Sequence, residues 1–174
     1  MKISDPAIVE EKSIQGLFLT ALQFCVSIET VQSFEKDVMI GYLLKICSLL
    51  YMSGSTNLEM LSEDNSAAEQ FLTEEEYEQI YLSLKEKWQE MEFFEFYNRQ
   101  LNEMETKSAC ELLADIYQDM KNFVLQYQKN STTAKKAAAS LLKENFPHHW
   151  GKNLLILLPY LHQLSFPEEE EFIE

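Results

Sequence analysis

Arginine is almost absent from this chain. Of 14 basic side chains, Arg99 is the single guanidinium and the rest are lysines. Planar forks that grip phosphate or carboxylate at two points are therefore nearly missing as a class. Glycine is scarce as well: the 4 residues at positions 16, 41, 54 and 151 never cluster into a phosphate-cradling loop or a nucleophile elbow. The 3 cysteines, Cys25, Cys47 and Cys110, are odd in number and have no C-x-x-C spacing, which argues against a disulfide framework and a paired zinc motif. Each lies among apolar residues at helical period, so small buried thiols in a reducing compartment are expected. The most apolar stretch, "NLLILLPYL", falls far short of the ~20 residues that span a bilayer. The start "MKISDPAIVEEK" has acids where a signal peptide needs a basic segment, and the expectation is a soluble, cytoplasmic protein.

What the chain does carry is negative charge. Its 29 acids against 14 bases leave a formal net charge of −15. Such a field repels phosphate backbones and anionic lipid heads, so neither nucleic acid nor membrane is expected as a partner. A basic protein partner fits that field. The length, 174 residues with 46% hydrophobic content, suits one domain over 1–174 with a frayed acidic tail at 167–174.

Apolar residues repeat at three and four almost throughout. A first helix is expected from an N-cap at Ser4, burying Ile14, Leu17, Phe18, Ala21, Leu22, Cys25 and Ile28. A second follows Ser33, buries Met39, Tyr42, Leu43, Ile46, Cys47 and Leu50, and stops at Gly54. From Ser53 to Leu72 the pattern fails, and this stretch reads as a long acidic loop. Thr73 with Glu76, and Ser108 with Glu111, are capping-box signatures for a third and fourth helix. The dense aromatics between Glu92 and Met104 read as the closed end of a core. A fifth helix is expected over 132–145 and a sixth over 147–164, the last crossed by Pro159, which removes a backbone bond. The fold class is all-α: a single-domain bundle of about six helices with one long acidic loop.

Within "ELLADIYQDMKNF", Glu111, Asp115 and Asp119 fall one turn apart. At about 100° per residue they span roughly 80°, opposite a stripe of Leu113, Ile116, Met120, Phe123 and Val124. They are expected to be hydrated and turned outward. Di-iron bundles need Glu-x-x-His on two helices, and this chain has none. "ELLAD" is faintly similar to the acidic motif of all-α nucleotide pyrophosphohydrolases, with Glu75 and Glu78 as a first pair. The second pair has the wrong spacing, Glu111 to Asp115, with Leu112 where a ligand is needed. His148 and His149 point about 100° apart on a helix and cannot face one metal, so no metal and no cofactor are expected.

The segments "ELLADIYQDMKNFVLQYQKNS" (111–131), "ENFPHHWGKNLL" (144–155) and "FLTEEEYEQIY" (71–81) resemble a bacterial family catalogued as domain of unknown function 5063. The resemblance covers roughly Ile14 to Leu164, while Pro147 and Pro159 depart from it. It implies an all-helical fold and no assigned activity, and carries no catalytic residue over. Together the readings point to a non-catalytic protein-interaction module with an acidic surface built from the 53–72 loop and the outer side of the fourth helix. The alternative is a metal-dependent hydrolase of the pyrophosphohydrolase kind. Candidate partner-binding residues are Asp115, Asp119, Trp150 and Lys152, Lys152 being expected to pair with one of the acids and Trp150 to pack beside it.

Overall fold

The computed structural model describes residues 6–57, 69–129 and 131–167. Its order is α1 (Pro6–Glu29), α2 (Lys36–Asn57), α3 (Glu74–Trp88), β1 (Phe93–Asn98), β2 (Glu103–Ser108), α4 (Ala109–Tyr127), α5 (Thr132–Asn145) and α6 (Trp150–Ser165). Among the described residues six helices form one bundle, as the periodicity predicts, and a small hairpin is added to it.

The helix starts follow local chemistry. At α3 the Thr73 hydroxyl accepts from the Glu76 N–H at 3.2 Å while Glu76 accepts from the Thr73 N–H at 2.9 Å, a complete capping box. Ser108 caps α4 through the Glu111 N–H at 3.2 Å, and Ser131 caps α5 through the Ala134 N–H at 3.3 Å. Each such cap contributes about 1 kcal/mol by satisfying a donor left over at the helix start. The expected cap at Ser4 lies outside the described residues.

α4 is the hub. It packs against α1, α3, α5 and α6, while α2 closes on α1 and α6. The core it organises holds Leu17, Phe24, Leu43, Leu50, Leu113, Ile116, Met120, Trp150, Leu154 and Leu157, all essentially without solvent contact. All three cysteines are buried there, and burial pushes the thiols of Cys25 and Cys47 up to about 12.

One helix end differs from expectation for a physical reason. Gly54 does not stop α2, which continues to Asn57. It is instead a point of close approach: a Cβ built on Gly54 collides with the Trp150 and Phe146 rings. Of the stretch expected as an acidic loop, residues 53–57 are helical. Residues 58–68 lie outside the described residues, and 69–72 run along α4, with the Phe71 and Leu72 N–H groups donating to Asn122 Oδ1 at 2.8 and 2.9 Å.

The aromatic segment does not simply close a core. β1 and β2 pair antiparallel, from Phe93 opposite Ser108 to Asn98 opposite Glu103. The turn ends at Asn102, whose φ of 55° lies in the left-handed region that asparagine tolerates. Phe94 and Phe96 face inward, yet Phe93 and Tyr97 on the other face are apolar too, with exposures of 58% and 48%. With apolar residues on both faces, the period of two is hidden from a hydropathy reading.

Candidate functional site

The polar side of α4 is not an outer surface. Glu111 is exposed, but Asp119 is only 12% exposed at its side chain and Asp115 is half-buried. Asp115 accepts from the Tyr77 hydroxyl at 2.9 Å and from Asn153 Nδ2 at 3.3 Å. Asp119 accepts from Asn145 Nδ2 at 3.1 Å and forms a short ion pair with His149 Nδ1. Further along the stripe, Asn122 and Gln126 accept from backbone N–H groups of Glu69, Phe71 and Leu72. The stripe is thus a polar seam by which α4 fastens α3, segment 69–72 and the start of α6. This corrects the expectation of hydrated, outward acids at 115 and 119. Periodicity separates polar from apolar positions; it does not separate wet from dry ones.

Trp150 and Lys152 are corrected as well. Trp150 has no solvent exposure, and its Nε1–H donates to the Leu142 carbonyl at 2.8 Å, so it belongs to the core and not to a docking surface. The contact between α4 and the α6 start is made by His149 and Asn153, and Lys152 points elsewhere. His149 titrates higher than an ordinary histidine because of its bond to Asp119, with the field of Asp119 and Asp115 adding and burial opposing. Glu75 and Glu78 are exposed on α3. Among the described residues no three His, Cys, Asp or Glu side chains gather as a metal site.

A groove between the hairpin and α6 is the more open candidate. Just before β1 lies Glu92, a carboxylate only 3% exposed, which accepts from the Tyr81 hydroxyl at 3.0 Å and the Ser108 hydroxyl at 3.3 Å. The Tyr160 ring of α6 stacks on Phe94 at 4.3 Å and 8°, and its hydroxyl donates to the Met91 carbonyl at 2.8 Å. These contacts hold α6 beneath the inner face of the hairpin. A cleft of about 750 Å³ then opens between β1 and Ile156, Pro159, Tyr160 and Gln163 of α6. Residues from both faces of β1 line it, together with Thr106 of β2, so the cleft takes in the strand edge and part of the outer face.

That edge has unused backbone groups. The Ala109 N–H donates to the Glu92 carbonyl at 2.7 Å, which puts Glu92 and Ala109 at a hydrogen-bonded position of the β1–β2 register, while the Glu92 N–H turns back to the Gln89 carbonyl at 3.1 Å. Since such pairs alternate along antiparallel strands, Phe94, Phe96 and Asn98 bond to β2. The N–H and C=O of Glu95 and Tyr97 therefore point away from β2, toward the cleft, and no other strand of the described residues meets them. Sequence reasoning missed this site because it did not find the hairpin.

At the turn end the groove meets a second cleft of about 330 Å³ whose polar lining is Asn98, Arg99, Glu105, Lys107 and Lys152. Glu105 answers Lys107, whose ammonium together with Asn98 holds the carboxyl below the usual range. Among the described residues neither Arg99 nor Lys152 takes part in an ion pair. In a chain of net charge −15, this corner is locally basic.

Comparison with known proteins adds family and fold. The family described as "Domain of unknown function (DUF5063)" matches residues 9–166. A crystal structure of protein BF1032 from Bacteroides fragilis, a structural-genomics target, is similar at 27% sequence identity with a TM-score of 0.77, covering 91% of this chain and 96% of that one. No curated protein matches the sequence.

Proposed function

Because this chain belongs to the DUF5063 family, whose description assigns no activity, its role has to be read from its own geometry, and we propose that it is a non-catalytic protein-interaction module. The partner contributes an extended segment that pairs along β1 as a third strand. The open edge of β1 beside an apolar cleft is the observation that carries this reading. Backbone groups of an edge strand supply affinity to an incoming strand, and pockets for alternate side chains supply selectivity. Ile156, Pro159 and Tyr160 are placed to receive the side chains that point down toward α6. The acidic field of the whole chain favours association with a partner of net positive charge.

Glu95→Pro tests the reading. Proline at 95 deletes an N–H that faces the cleft and leaves the β1–β2 ladder intact, since the donor lost is not a ladder donor. The expected result is that a protein retained from a cell lysate by the wild-type chain is lost with Glu95→Pro and kept with Glu95→Ala, both variants melting as the wild type does. Equal capture by all three overturns strand addition along β1.

A further inference from the structure

We infer that the groove is built for the carboxyl-terminal end of its partner's segment, whose free α-carboxylate lies in the basic corner formed by Arg99, Lys107 and Lys152. This rests on the strand-docking reading above and names the partner chemistry that the groove accepts.

The argument begins with distribution. A chain that carries one arginine places it at the end of β1, where the edge groove passes into the second cleft. Arg99 lines both clefts, as do Phe96, Tyr97 and Ile156, so the two are continuous around the strand end. A guanidinium offers a carboxylate two parallel hydrogen bonds, which a lysine cannot. Lys152 stands in the first turn of α6, where the helix end is itself positive, and it too lacks an ion-pair partner among the described residues. Lys107 is partly answered by Glu105. The three cations of this corner face one carboxylate, Glu105, which feels both Lys107 and Lys152, so net positive charge is left beside an apolar, strand-edged channel.

Direction follows from placement. The apolar end of the groove lies by Phe94 and Tyr160, near the start of β1, and the cations lie at its finish. A segment with its last residue at Arg99 therefore runs parallel to β1. An internal stretch of chain brings no negative end to this corner, and an amidated terminus leaves its net positive charge unanswered. The inner-face residues Phe94 and Phe96 and the α6 residues Ile156 and Tyr160 call for apolar side chains just upstream of the terminus. A basic protein with an apolar, free carboxyl-terminal tail satisfies both the long-range field and this local reversal of sign.

The experiment is an array of random hexapeptides synthesised with free carboxyl termini, beside the same array amidated, probed with the labelled full chain. We expect binders on the free array that lose at least tenfold in affinity on amidation and on Arg99→Glu with Lys152→Glu, the variant keeping the wild-type circular dichroism and melting temperature. Arg99→Lys should restore part of that loss. Binders unaffected by amidation overturn the carboxylate assignment while leaving strand docking standing. Binders insensitive to Glu95→Pro overturn the docking itself, and an absence of binders on both arrays overturns both.

Discussion

His149 has a half-exposed ring in an ion pair with Asp119, and this pairing makes stability depend on pH. Asp119, Asp115 and Asn145 are the polar groups gathered around it, and the net influence raises its pKa above the ordinary 6.5. A group whose pKa is higher folded than unfolded stabilises fully below its unfolded value, and that contribution is lost as pH rises through the folded one. Urea midpoints should therefore fall as pH climbs above about 6.5, and His149→Gln should flatten the curve in that window while leaving the acid side to the carboxylates. Trp150 acts on a larger scale because its whole indole is packed and its N–H is bonded. Trp150→Ala should cost about 3–5 kcal/mol, and Asp119→Ala about 1–3 kcal/mol because it orphans Asn145 and His149; both are measurable by denaturant unfolding.

Helices expose the same logic through their glycines. Gly54 and Gly16 both lie inside long helices, and propensity alone predicts that alanine stabilises either. Packing separates them. A methyl at Gly16 meets nothing within 4 Å, so Gly16→Ala should stabilise by about 0.5–1 kcal/mol. A methyl at Gly54 collides with ring carbons of Trp150 and Phe146, so Gly54→Ala should instead destabilise by about 1–3 kcal/mol. Thermal unfolding of the two variants, read for the sign of the shift, checks this directly. Caps belong to this level too, and they were legible because a cap is a bond between residues three apart. The hairpin was not legible: its apolar outer face and its turn of Arg99, Gln100, Leu101 and Asn102 carry neither clean alternation nor an Asn-Gly signal.

For the molecule as a whole, charge and metal make the useful tests. With a formal charge of −15, association with a basic partner should weaken steeply between low and high salt, seen in the on-rate before the off-rate. The hydrolase alternative draws on Glu75, Glu78, Glu111 and Asp115. Asp115 is already committed to Tyr77 and Asn153, and the two α3 acids are exposed. Millimolar magnesium or manganese should therefore leave the melting temperature unchanged, whereas a ligand of the folded state raises it.

The sequence by itself determined the six helices, two of their caps, most of the core stripe and the family, because each is written in spacings of three or four residues along one chain segment. Only the tertiary structure decided which polar residues are wet. Asp115 and Asp119 share the polar side of α4 with Glu111, and what distinguishes them is that Tyr77, Asn145, His149 and Asn153 arrive from elsewhere in the chain. The groove was settled in the same way, since an open strand edge and an apolar helix face make a site only when folding sets them side by side. Burial is a property of neighbours, and those neighbours are up to 38 residues away in the sequence.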